Sequence, residues 1–232
     1  MLRQTTDGGT NRLTLEYSAT SQLPGYTALK SSPAGLFGGN PHLGRERAKT
    51  VALKAERETA SWYASATVFF RKDEDLVDWT YLSGAPFARQ ANAMDADVTG
   101  VEIEFARHWA QLELSGGYSY LHKDDDYGSA AVDASFYALN YAQQRLNLAL
   151  RYQPVDWLDV RLDNEFRRQR SNALRSSDDD AYQAALALGW QTPVSRLRLN
   201  LIVDNLTNSN FQQFPGTPAP RRQVSLNAGY AW

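Results

Sequence analysis

The chain ends with Arg221-Arg222-Gln223-Val224-Ser225-Leu226-Asn227-Ala228-Gly229-Tyr230-Ala231-Trp232. Val224, Leu226, Ala228, Tyr230 and Trp232 share one parity, and Ser225, Asn227, Gly229 and Ala231 the other. Successive residues of a strand point to opposite faces, so this is a strand with one apolar face. A soluble domain rarely finishes with such a strand and an exposed terminal aromatic, whereas an outer-membrane β-barrel closes with one and presents it to lipid. The ending points to a membrane, and the rest of the sequence tests that reading.

Composition sets the outer limits. The chain has 232 residues, with 24 Lys+Arg against 26 Asp+Glu, so no basic field argues for a nucleic-acid partner. It has no cysteine, which excludes cysteine catalysis and thiolate metal sites. Mean hydropathy is negative, and no apolar run approaches the roughly 18 residues of a spanning helix. A barrel survives that test, because its lumen face is polar and alternation dilutes the apolar signal. The first residues, Met1 to Asn11, are polar and rich in Gly and Thr. They lack the charged start and apolar segment of a signal peptide.

Period-two alternation recurs along the whole chain. One parity carries Leu13, Leu15 and Tyr17; Val51, Leu53 and Ala55; Trp62, Ala64, Ala66, Val68 and Phe70 in a run reaching about Tyr81; and Val101, Ile103 and Phe105. It continues with Leu112, Leu114 and Tyr118; Leu146, Leu148, Leu150 and Tyr152; Leu158, Val160, Leu162 and Phe166; Tyr182, Ala184, Leu186, Leu188 and Trp190; and Leu197, Leu199, Leu201 and Val203. Charged and polar residues occupy the other parity, with Asn164 the exception on the apolar side. With the terminal strand this predicts about ten strands, each near the 9 to 11 residues that a tilted transmembrane strand needs.

A soluble antiparallel sandwich or barrel alternates as well. Two patterns favour the membrane. Connections alternate between short (Thr59 to Ser61, His108, Gln153 to Asp156, Thr192 to Val194) and mostly long (Thr20 to Glu46, Leu82 to Phe87, His122 to Leu139, Ser171 to Asp180, Thr207 to Pro220), as periplasmic turns and external loops do. In addition, Trp62, Trp109, Trp157, Trp190 and Trp232 fall at the short-turn ends, where an interfacial aromatic girdle belongs. Trp109 and Trp157 break the parity of their strands and read as turn residues, and Trp79 lies at the other end.

Several stretches carry a family resemblance. They are Asn40-Pro41-His42-Leu43-Gly44-Arg45-Glu46, Ala66-Thr67-Val68-Phe69-Phe70-Arg71-Lys72 with Asp75-Leu76-Val77, Asn92, Thr99-Gly100-Val101-Glu102-Ile103-Glu104, Asp204-Asn205-Leu206, Pro215-Gly216 and Arg221-Arg222. In this order they resemble the C-terminal barrel region of TonB-dependent outer-membrane receptors; Arg45 stands where the family often has Pro. The resemblance implies an all-β, antiparallel up-and-down transmembrane segment of about ten strands, part of a barrel of about 22 strands. Residues 1–232 are then a partial barrel, with neither plug domain nor signal peptide. It further implies a receptor of the Gram-negative outer membrane that takes up a scarce nutrient such as an iron-siderophore, cobalamin or a saccharide. The partners it implies are outer-membrane lipid, the assembly machinery that reads the last strand (Val224, Leu226, Ala228, Tyr230, Trp232), and an energy-coupling protein reached only through the plug.

Specificity in such receptors lies in plug apices and external loops, so the resemblance makes Tyr26, Phe37, Trp79, Tyr81, Tyr127, Phe136 and Tyr137 candidate ligand contacts. The alternative for each is ordinary packing within its loop. The runs Asp124 to Asp126 and Asp178 to Asp180 supply oxygen ligands of the kind calcium takes, without the spacing and central glycine of a calcium loop. No metal site and no cofactor is expected. His122 beside Asp124 is the one pairing suited to a rim protease, and without a second acid pair it is thin. No Gly-x-Ser-x-Gly, Walker or His-Glu-x-x-His motif occurs, and the expectation is no enzyme. A structural or adhesive barrel is the remaining alternative.

Overall fold

The computed structural model describes every residue except Asp7, Ala34, Ser195 and Trp232. The expected girdle and terminal-strand roles of Trp232 therefore lie outside the described residues. The elements are β1 (Leu2–Thr6), β2 (Gly9–Gln22), α1 (Tyr26–Lys30), β3 (Phe37–Gly38), β4 (Glu46–Glu58), β5 (Trp62–Tyr81), β6 (Arg89–His108), β7 (Leu112–Asp126), β8 (Ala134–Ser135), β9 (Ala142–Val155), β10 (Leu158–Gln169), β11 (Asp180–Gln191), β12 (Leu197–Asp204), β13 (Gln212–Phe214), β14 (Thr217–Pro218) and β15 (Gln223–Tyr230).

One sheet holds thirteen of these strands, and its main path is β1-β2-β4-β5-β6-β7-β9-β10-β11-β12-β15. Each long strand pairs antiparallel with its neighbours in the chain, the up-and-down order that the alternating connections predict. β1 and β15 stand at the two ends of this path.

The apolar parity forms continuous rows. Tyr17 faces Val51, which faces Phe70; Leu15 faces Leu53, which faces Val68 and then Val101. At the far edge Leu188 faces Leu201, which faces Leu226. These rows do not meet in a dry centre: Leu15 is 69 % exposed, Val68 51 % and Leu226 73 %. Large apolar side chains left bare across a whole face are what a lipid-facing barrel wall presents and a soluble sandwich does not. Asn164 is accommodated on this face because its Oδ1 accepts the Tyr182 hydroxyl at 2.8 Å, under the stacked Phe166 and Tyr182 rings.

Three features differ from the sequence reading. Residues 2–6, inside the polar N-terminal stretch, form β1 against β2; both of its faces are largely polar, so alternation does not reveal it. Gly9, at the start of β2, has φ +135°, and a Cβ there would collide with the Glu58 carbonyl oxygen. The turn after β6 lies at 109–111, so His108 is strand, and β7 continues to Asp126, so His122 and Asp124 to Asp126 are strand rather than loop. Finally, the alternation of β5 is broken. Asp73 faces Ala96 and Leu76 faces Met94, so Glu74 and Asp75 together oppose Asp95 in a bulge, with Asp75 at φ 56°.

The bulge inverts parity. Before it, the even-numbered residues of β5 lie on the apolar face; after it, Leu76, Asp78 and Thr80 turn to the other side. There Met94, Ala96 and Val98 form a small buried core with Phe69, Leu76, Leu121, Tyr127, Ala138 and Leu139 around it. This dry core sits on the polar face, at the long-loop end.

Candidate functional site

The polar parity of the sheet is a wall of ion pairs. Glu165 holds Arg145 and Arg167, each at 2.6 Å; Arg151 pairs with Asp159 at 2.9 Å and Arg161 with Asp163 at 2.8 Å. On β2 and β4, Arg12 reaches Glu58 and Lys54 reaches Glu56, both at 3.1 Å. Glu104 is hydrogen-bonded by Ser65 at 3.1 Å, and Arg198 turns to Asn200 at 3.2 Å. Small residues between the charges leave a hollow of about 770 Å³ over Ser115, Gly117, Asn147, Asp163 and Gln183.

The long-loop end is held by a second set of contacts. Asp78 is fully buried, a placement that follows from the bulge, and its carboxylate accepts the Tyr127 hydroxyl at 2.6 Å and the backbone N–H groups of Tyr137 and Ala138 at 3.3 and 3.0 Å. A buried carboxylate needs several donors, and loop 127–141 supplies them. Burial of the Tyr127 phenol, with the Asp78 charge beside it, pushes its pKa well above the ordinary tyrosine value. Consecutive strand residues face opposite ways, so Trp79 lies on the other side. There Phe37 packs edge-on against it, ring centroids 5.4 Å apart.

Two short strands fix both loops to the extended β5–β6 hairpin. β3, from the loop before β4, pairs with β6 in parallel (Phe37 with Arg89), and β8, from the loop after β7, pairs with β5 (Thr80 with Ser135). Arg89 is the hub: its guanidinium lies 4.1 Å from the Phe136 ring and 5.7 Å from Phe37, and it donates to the Tyr137 hydroxyl at 3.1 Å. Tyr137 in turn meets Phe214, 5.6 Å away. The remaining loops are tied in by Arg175, whose buried guanidinium bonds Asp179, Asn140 and the Arg170 carbonyl, while Arg170 reaches Asp125 at 2.8 Å.

The sequence-derived candidates thus fall into two groups. Phe37, Trp79, Tyr81, Tyr127, Phe136 and Tyr137 all lie at the long-loop end, with Phe37 and Trp79 on one side of the sheet and Tyr127, beside Asp78, on the other; Tyr81 pairs there with Ala134. Tyr26 stands apart at the start of α1, 80 % exposed. Tyr137, at 46 %, is the accessible member of the cluster. Asp78, Arg89, Arg175 and Phe214 were not singled out by sequence. Only Asp78 left a signal, a charge inside the apolar run Leu76-Val77-Asp78-Trp79.

The two aspartate runs do not converge on one point. Asp125 faces Arg170, Asp126 caps the Gly128 N–H at 2.7 Å, Asp179 meets Arg175, and Asp180 faces Arg168 at 3.8 Å. Among the described residues no three His, Asp or Glu gather as metal ligands. His122 and Asp124 share the exposed apolar-face parity of β7, outside the polar wall and opposite Thr99 and Asp97.

The family described as "TonB dependent receptor-like, beta-barrel" matches residues 6–206 of this chain. No curated protein sequence matches it. Among solved structures it is similar to the FrpB iron transporter from Neisseria meningitidis (TM-score 0.66, 18 % identity, 98 % of this chain and 37 % of that one). It is likewise similar to the copper transporter OprC (0.70, 14 %, 98 % and 38 %) and to the ferric-catecholate import receptor Fiu from K12 E. coli (0.68, 17 %, 98 % and 33 %). The chain spans between a third and two-fifths of the length of these structures.

Proposed function

Because the chain belongs to the TonB dependent receptor-like β-barrel family, we propose that residues 1–232 are the C-terminal part of the barrel of an outer-membrane receptor that imports a scarce nutrient. The observation that carries this reading is the partition of the sheet: apolar rows lie bare on one face while ion pairs line the other. Such a wall is stable only with hydrocarbon on the apolar side and water or protein on the polar side.

In this reading the plug and its energy-coupling segment are separate from these residues, and the polar wall is the surface that faces them. Loops 23–45, 82–88, 127–141 and 170–179 form the external mouth. The nutrient, of the iron-chelate, cobalamin or saccharide class, meets the aromatic cluster around Arg89, with Tyr137 and Tyr26 the exposed contacts and Phe37, Trp79, Tyr81, Tyr127 and Phe136 behind them. Binding and passage need no catalytic group and no resident cofactor, and the protein acts as a receptor rather than an enzyme. The exposed Val224, Leu226, Ala228 and Tyr230 of β15 form the strand that the outer-membrane assembly machinery takes up.

The test of the membrane reading uses the chain refolded with vesicles whose acyl chains carry bromine. Tryptophan emission falls sharply if the apolar face lies in hydrocarbon; emission unchanged from that in plain vesicles overturns the proposal.

A further inference from the structure

At the short-turn end of the apolar face four side chains form a ladder across three strands. The Arg57 guanidinium of β4 lies over the Trp62 ring of β5 at 5.5 Å; Trp62 is the register partner of Arg107 on β6; and the Arg107 guanidinium lies over Trp109 at 4.9 Å. Both arginines are exposed. The parity rows make their position unusual. Along the apolar face of β4 to β7, from the short turns up to the row of Leu53, Val68, Val101 and Tyr120, the charged residues are Arg57 and Arg107 alone. The carboxylates nearest in sequence are turned to the other face and engaged there, Glu56 by Lys54, Glu58 by Arg12 and Glu104 by the Ser65 hydroxyl, each at 3.1 Å.

Two positive charges on an apolar wall, each resting on an indole ring and neither neutralised by an acid, need an anion at the level where hydrocarbon gives way to headgroups. Tryptophan settles at that level, and a guanidinium offers phosphate a planar pair of donors. We propose that Arg57, Trp62, Arg107 and Trp109 form a docking site for the phosphate headgroup of an anionic phospholipid in the inner leaflet of the membrane, so that this rim of the barrel carries its own bound lipid. The ring beneath each guanidinium holds it against the wall and leaves its outward edge for the phosphate. The inference rests on the membrane reading above and adds a lipid class and a place to it.

The test uses the full chain refolded into phosphatidylcholine vesicles containing spin-labelled phosphatidylglycerol or, separately, spin-labelled phosphatidylcholine. The wild-type chain immobilises the anionic label in preference to the zwitterionic one. Arg57→Gln with Arg107→Gln lowers that preference by about five-fold for each arginine removed, whereas Arg57→Lys with Arg107→Lys keeps most of it. Arg168→Gln, on the same face at the opposite rim, leaves it unchanged. Equal immobilisation of both labels by the wild-type chain overturns the lipid site even if the variants fail to fold, as does a preference undiminished in the double glutamine variant. A chain that immobilises neither lipid overturns the membrane reading and the site together.

Discussion

The short-turn half and the long-loop half of the same sheet are built on different principles. In the short-turn half each strand keeps one parity throughout, and a one-residue slip would put Arg145 or Glu165 where Leu146 or Phe166 now lies. Parity alone sets the register there. In the long-loop half the bulge at Glu74 and Asp75 overrides parity, and register is held by tertiary contacts: a buried core, a buried carboxylate and two added strands. The lower half depends on its surroundings, the upper half on itself.

The substitution with the largest expected effect attacks the first principle. Val68→Arg places a charge in the middle of the apolar rows and costs about 2–4 kcal/mol of stability in a bilayer, measured by urea unfolding from vesicles. The matched change on the polar face, Thr67→Arg, costs much less. Equal costs at positions 67 and 68 would erase the distinction between the faces.

Next comes the second principle. Asp78→Ala removes the acceptor of three hydrogen bonds and leaves the Tyr127 hydroxyl and two N–H groups without a partner, about 1–3 kcal/mol for groups that stay buried. The loss should be local. Limited proteolysis is expected to cut within 127–141 while the short-turn half remains protected.

Tyr127→Phe is milder, about 1 kcal/mol, and has a pH signature. The folded protein holds the Tyr127 proton more tightly than the unfolded chain does, so the contribution is complete below the ordinary tyrosine pKa of about 10 and fades as pH rises beyond it. A spectrophotometric titration should show one tyrosine ionising after the rest, and the variant should lack that late step. Asp75→Gly is expected to matter least, with a gain of about 0.5 kcal/mol from relieving the left-handed backbone. A large loss in this variant would mean that the Arg47–Asp75 contact at 3.7 Å, rather than the backbone, holds the bulge.

The same contrast explains what could be read from sequence. Rows such as Leu146, Leu148 and Leu150 announce themselves because every second residue repeats one choice, and the membrane reading came from them. Parity counting cannot see an inserted residue, so the inversion after Asp75 stayed hidden, and with it the burial of Asp78. The contacts Phe37 with Trp79 and Tyr137 with Phe214 join residues 42 and 77 positions apart, and no local pattern records such distances. β1 escaped because Arg3, Gln4 and Thr5 are polar on both sides. By sequence His122 to Asp126 read as loop because charge usually marks a turn, yet a strand that rises out of the bilayer carries charge on both faces.

The pairing of β3 with β6 and of β8 with β5 also imposes an order in time. Neither two-residue strand has an edge to join until the β5–β6 hairpin exists, and each reaches it across more than fifty residues of chain. Contacts so remote in sequence close slowly. The hairpin must come first, the two crossing segments afterwards, and the mouth of the molecule is therefore finished last.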